Sequence, residues 1–215
     1  MNKIVEDHKE ATGFFTTAFY YAFRSIFIPV TRLFIALHIT PNMVTWLSFA
    51  LGMAMCVLFA YNLLGWGLIV GLSMAFADII DGQLAKSTGM ISKFGGVLDS
   101  TIDRYNEFFI FIGLGLRYNF LGRPVFMLWC AVAFLGSVMV SYIKARAESD
   151  GFDCRVGKLQ RPERLSLIGI GVLLNVIGFP YGIDAVVLFL AFGTQYTSIH
   201  RLTHVYKQTL NVDKM

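Results

Sequence analysis

The chain has 215 residues, 56% of them hydrophobic and only 15% charged, with a mean hydropathy of +0.62 and a formal net charge of +4. A water-soluble domain of this length needs far more polar surface over its core, so the composition excludes one and calls for a single membrane domain of several helical spans. The modest positive charge fits anchoring at the cytoplasmic membrane face better than nucleic-acid binding.

Cys56 and Cys130 lie in apolar stretches and Cys154 in a polar loop, with no C-x-x-C pair. That spacing indicates neither a disulfide framework nor a zinc site. Residues 1–12 are polar and of mixed charge, unlike a cleavable signal peptide, so the first true span is expected to target the chain.

Residues 13–39 are apolar but interrupted by Arg24, Pro29 and Arg32. This pattern predicts an amphipathic helix in the membrane interface, split near Pro29, with a poor first span as the alternative. Thr40 and Pro41 then signal a helix start, Thr40 as a cap and Pro41 in the first turn. Six spans follow: about Met43 to Tyr61, Trp66 to Ala85, Gly95 to Leu116, Val125 to Ala147, Leu165 to Ile177, and Ile183 to about Arg201. The fifth is short for a bilayer, so its helix is expected to begin nearer Pro162. The domain division is 1–42 for the tail and interfacial helix, 43–207 for the membrane domain and 208–215 for the C-terminal tail. With six spans and the N-terminus inside, only Arg117 and Arg123 fall outside, leaving sixteen of the eighteen basic residues on the cytoplasmic side.

Acids occupy the second and third spans. Asp78 and Asp81 are three apart and share a helix face, and Asp99 and Asp103 are four apart and share a face of the next. Ionised carboxylates in hydrocarbon are costly and repel one another, so protons or cations must neutralise them. Oxygen ligands suit hard divalent ions, and two such ions bring four charges near balance. At 1.5 Å per residue these acids lie about 12–15 Å from the cytoplasmic helix ends, a depth suited to a lipid phosphate. Buried acids paired with Arg104 and Lys86 are the plain alternative, but two bases do not neutralise four acids. A metal- or proton-coupled transporter also places acids at mid-membrane, though no internal repeat is visible here.

The residues read Asp78-x2-Asp81-Gly82-x2-Ala85-Lys86-x8-Gly95-x3-Asp99-x3-Asp103. This resembles the signature of the CDP-alcohol phosphotransferase family, D-x2-D-G-x2-A-R-x8-G-x3-D-x3-D, at seven of eight positions. Lys86 replaces the family arginine, keeping the charge and losing the bidentate fork. The resemblance implies an all-α integral membrane enzyme that moves a phosphatidyl-type group from a CDP-lipid, of the CDP-diacylglycerol or CDP-archaeol type, to a small alcohol, releasing CMP. It implies Mg²⁺ or Mn²⁺, two ions per site, held by Asp78, Asp81, Asp99 and Asp103, with Asp103 also the general base. It assigns Asn42, Gly82, Lys86 and Gly95 to the CDP end, although helix packing would also explain the glycines and capping would explain Asn42. A homodimer is expected on the same ground.

The stretches Ser141 to Glu148 and Gln160 to Leu165 look like the family branch whose acceptor is inositol phosphate. A phosphorylated acceptor needs a basic pocket, which Lys144, Arg161, Arg164 and Arg201 can supply. A solvated positive-inside loop is the plain reading of the same residues. Glycerol 3-phosphate would want the same charges; myo-inositol or serine would want fewer.

Overall fold

The computed structural model describes residues 29–212, which are all-helical. A short helix, α1, covers 29–36. Six longer helices follow: α2 (Pro41–Ala60), α3 (Leu64–Thr88), α4 (Lys93–Phe120), α5 (Pro124–Ser149), α6 (Arg161–Val176) and α7 (Gly182–Val212). Most of the expected interfacial helix over 13–39 lies outside the described residues, as does the expected N-terminal tail over 1–12.

Local chemistry sets the helix starts. Pro41, Pro124 and Pro162 sit in the first turns of α2, α5 and α6, where a missing N–H costs nothing. Thr40 holds the N-cap position of α2 in extended geometry, but its side chain makes no capping hydrogen bond. Its neighbour Thr45 does the polar work there instead, as described below. Ser92 caps α4, accepting from the Gly95 N–H at 2.9 Å.

Three helices outrun their expected ends, α7 furthest, since it runs past Arg201 through Val212 and takes in most of the expected C-terminal tail over 208–215. Lys86, Ser87 and Thr88 continue α3 rather than break it, and the helix stops at Gly89, which takes the left-handed conformation at φ 69°. The sequence Arg117 to Phe120 continues α4, and Gly122 at φ 71° makes the actual turn. In both places most of the residues that continue the helix are polar, and polar residues extend a helix into water without penalty.

The helices run up and down. α2 packs along α3 and α4, α5 along α4 and α7, and α6 along α7 and α3. α2 and α4 approach closely at Gly113, where a Cβ would lie 2.7 Å from the Cys56 carbonyl oxygen. One core cluster joins Met55, Phe111, Leu114, Tyr118, Val172 and Leu190; a second joins Val44, Ala77, Ile80 and Leu84, with Val30 and Phe34 of α1 packed on it. Large apolar side chains such as Trp46, Trp66, Leu128 and Phe192 point outward, each more than half exposed, as a lipid-facing surface requires.

Four helices, α2, α3, α5 and α7, are long and apolar enough to cross a membrane by length and composition. The expected count was six. α4 is long enough but carries Lys93, Asp99, Asp103, Arg104, Glu107 and Arg117, and α6 has only 16 residues, about 24 Å of rise.

Candidate active site

α3 and α4 both pack along α2, and this shared partner brings the acids of the C-terminal half of α3 to those near the start of α4. Carboxylate oxygens of Asp78, Asp99 and Asp103 all lie within 4.8 Å of one another. Asp81, the fourth signature acid, is buried and turned toward α2, where the Thr45 hydroxyl donates to its Oδ2 at 2.8 Å. Three of the four predicted ligands therefore converge, and the fourth stands beside them on a hydrogen bond from a residue whose part the sequence reading missed.

Arg161, the first residue of α6, reaches into this group. Its Nη1 lies 3.0 Å from Asp78 Oδ2 and its Nη2 2.6 Å from Asp103 Oδ1. Its Nε is buried and has no hydrogen-bond partner. Arg104 is a looser neighbour, 3.8 Å from Asp103. A guanidinium thus stands among the acids from a helix about sixty residues further along the chain, a distance no local spacing rule bridges.

Three turns of α4 carry acids on one stripe, since Glu107 follows Asp103 by four residues. Glu107 is buried and takes two hydrogen bonds on Oε1 from Arg164, at 2.9 Å from Nε and 2.7 Å from Nη2. Arg164 Nη1 donates to the Leu159 carbonyl at 2.9 Å. The expectation that Arg164 serves the acceptor phosphate is not met, because its guanidinium is committed inside the protein to Glu107 and Leu159. Glu107 was not singled out at all, though its place on the Asp99–Asp103 stripe was a signal for it.

The other expected acceptor residues stand on different elements. Arg201, on α7, is buried and donates from Nε to the Val156 carbonyl at 2.8 Å and from Nη1 to the Val140 carbonyl. It thereby ties the 150–160 segment to α5 and α7. Lys144, near the end of α5, lies 3.8 Å from Glu148 and is partly exposed.

At the expected CDP end, a Cβ on Gly82 would meet nothing within 4 Å. Helix packing does not explain that glycine; open space above the α3 backbone does. A Cβ on Gly95 would lie 3.0 Å from Ser92 Oγ and 3.5 Å from Asn42 Oδ1, which brings Gly95 and Asn42 together across α2 and α4. Lys86 is exposed one turn beyond Gly82.

Comparison with known proteins identifies the arrangement. Residues 38–196 match the family model described as CDP-alcohol phosphatidyltransferase. The chain belongs to the CDP-alcohol phosphatidyltransferase family. It is 38% identical over 188 residues to a phosphatidylinositol phosphate synthase of Corynebacterium glutamicum, covering 85% of this chain and 84% of that one. It is 33% identical to an archaetidylinositol phosphate synthase of Methanothermobacter thermautotrophicus over 85% of this chain and 93% of that one. A crystal structure of Mycobacterium tuberculosis phosphatidylinositol phosphate synthase with CDP-DAG bound superposes with a TM-score of 0.79 at 30% identity, covering 85% of this chain and 94% of that one. A second crystal structure of that protein, with manganese and citrate, gives 0.77 at 31% identity, covering 83% and 88%.

The chain is accordingly a metal-dependent membrane transferase. The donor set fits Mg²⁺ or Mn²⁺: it is all oxygen, and two oxygens on one Mg²⁺ lie at most about 4.2 Å apart, close to the span of the three carboxylates. Among signature residues, Asp78, Asp99 and Asp103 are placed to hold an ion, with Asp81 one turn from Asp78.

Proposed function

We propose that this chain transfers a phosphatidyl-type group from a CDP-diacylglycerol or CDP-archaeol lipid to inositol phosphate, releasing CMP. The observation that carries the reading is the meeting of Asp78, Asp99 and Asp103 with Arg161. An acid cluster suited to divalent ions and a guanidinium suited to phosphate stand in one place, as a reaction between a diphosphate donor and a phosphorylated acceptor requires. The names of the relatives, phosphatidylinositol and archaetidylinositol phosphate synthases, support the acceptor.

Asp78, Asp81, Asp99 and Asp103 would hold two ions, whose positive charge would offset the negative charge of the donor diphosphate and of the departing CMP. Gly82 leaves the α3 backbone bare for the nucleotide, with Asn42, Gly95 and Lys86 around it. Arg161, with Lys144 and the Arg201 region, takes the acceptor phosphate. Because Arg161 touches Asp103, an acceptor held there presents its hydroxyl to the Asp103 carboxylate. Asp103 accepts the hydroxyl proton, the oxygen bonds to the lipid-bearing phosphorus, and the bond between the two phosphates breaks toward CMP.

The same proposal takes 43–207 as one six-helix membrane domain preceded by an interfacial helix, with α4 and α6 spanning inside the bundle and the site facing the cytoplasm. Their charges and short length are acceptable there because Asp103 and Glu107 of α4 are buried against Arg161 and Arg164 of α6. A homodimer is part of the same proposal.

The test is CMP release by purified protein with Mg²⁺ or Mn²⁺ and CDP-diacylglycerol, with inositol phosphate, myo-inositol, glycerol 3-phosphate and serine compared in parallel. Inositol phosphate is expected to give the highest kcat/KM. Equal turnover with all four would remove the acceptor assignment and leave the reaction class.

A further inference from the structure

Arg161 and Arg164 are three apart in the first turn of α6, and Asp103 and Glu107 are four apart on α4. The two helices therefore meet through two stacked rungs: Arg161 on Asp103 at 2.6 Å and Arg164 on Glu107 at 2.7 Å. The rungs differ. Side chains of the upper pair keep contact with solvent, at 18% and 12% exposure, while those of the lower pair are sealed at 1% each.

We infer that Glu107 and Arg164 are positioning residues for the transfer reaction: they lock the first turn of α6 so that Arg161 is held against Asp103 and Asp78. The inference rests on the proposed role of Arg161 at the acceptor phosphate.

Three features support a positioning role. Arg164 spends both Nε and Nη2 on a single oxygen of Glu107, so the pair has one defined geometry rather than a family of them. Its Nη1 holds the Leu159 carbonyl, two residues before Arg161, which fixes the chain as it enters the helix. Arg161 itself has a partnerless buried Nε and is held only through its two terminal nitrogens, so its placement depends on the backbone beneath it. Loss of a buried pair whose only task is cohesion is tolerated when apolar groups of like volume replace both members. Loss of a positioning pair is not tolerated in catalysis, however well the protein folds.

The decisive variant is Glu107→Leu with Arg164→Met, compared with Arg161→Gln and with all three changes together. The first readout is KM for each substrate; the second is Mn²⁺ affinity by electron paramagnetic resonance without substrates, where the Arg161 guanidinium competes with the ion for Asp78 and Asp103. The pair replacement is expected to raise the KM for inositol phosphate roughly tenfold or more and to leave the CDP-lipid KM nearly unchanged. It should tighten Mn²⁺ binding in the same direction as Arg161→Gln, and adding Arg161→Gln should change little further, because the residues act as one unit. A folded double variant with wild-type acceptor KM and wild-type Mn²⁺ affinity overturns the inference, as does a triple variant whose effects simply multiply. If the double variant does not fold, Glu107→Gln, which keeps the shape and removes the charge, is read in the same two assays, and Arg164→Lys should lie between it and wild type. If the wild-type protein does not use inositol phosphate, the acceptor reading falls and the Mn²⁺ titration alone decides the positioning claim.

Discussion

The two ends of the helix bundle both carry buried charge, and they handle it in opposite ways. At the end formed by the starts of α5 and α7, a single acid, Asp184, is matched by two donors: the Tyr118 hydroxyl at 2.6 Å and Arg123 at 2.7 Å. Arg123 also lies over the rings of Tyr118 and Phe126, and Arg117 donates to Asn62 at 2.7 Å. These partners join the end of α4 and the turns beside it to the start of α7 and to the turn after α2, so the cluster reads as a clasp. At the other end, Asp78, Asp81, Asp99 and Asp103 meet Arg161 and the more distant Arg104, so negative charge exceeds the positive charge in contact with it. A matched cluster stabilises a fold; an unmatched one in a low-dielectric setting stores affinity for a cation.

If that contrast is right, damage at the two ends has different signatures. The largest effect is expected from Asp103→Asn, which removes the base and should cut CMP release by about 10²–10⁴-fold while leaving thermal stability near wild type. Asp184→Asn should do the reverse, with turnover kept at temperatures where the protein is folded. Chelation gives the second test: EDTA should abolish turnover, and Mg²⁺ or Mn²⁺ should restore it, with no change in the far clasp. Turnover that survives exhaustive chelation would falsify the reading of the acid cluster.

Glycines sharpen the comparison at intermediate scale. Gly82→Ala fills open space in a helix, so it should stabilise the fold by about 0.8–1 kcal/mol. It should nevertheless raise the CDP-lipid KM roughly tenfold, a loss of about 1.4 kcal/mol, as measured by initial rates. Gly113→Ala meets the Cys56 backbone and should instead cost about 1–3 kcal/mol of stability with unchanged KM values. Unfolding followed by circular dichroism on Asp184→Asn should show a loss of about 1.5–3 kcal/mol, the worth of hydrogen bonds to a charged group. The smallest effect is expected from Lys86→Arg, which restores the fork of the family signature and should lower the CDP-lipid KM about two- to fivefold.

Much of this was legible in the chain itself. The acids of α3 and α4 are encoded by spacings of three and four, which a helix turns to one side, but it is the packing of both helices on α2 that brings Asp78 to Asp99 and Asp103. The prolines at the starts of α2, α5 and α6 mark helix entries because proline lacks only an N–H that has no partner there. The helix ends were less legible: α3 runs on through Lys86 to Thr88, α4 through Phe120 and α7 to Val212, because polar residues extend a helix as readily as they end it.

The amino-acid order by itself determined the helical membrane architecture, the acid pairs and the family, since each depends on composition or on spacing within a single helix. Tertiary structure alone decided that Arg161 stands against Asp78 and Asp103, that Arg164 is sealed onto Glu107, that Asp81 takes a hydrogen bond from Thr45, and that Asp184 is clasped by Tyr118 and Arg123. Each of those contacts joins helices 36 to 83 residues apart in the chain, through groups whose partners no periodicity names. A buried charge states that it needs a counter-charge; only the packing of the helices says which one it receives.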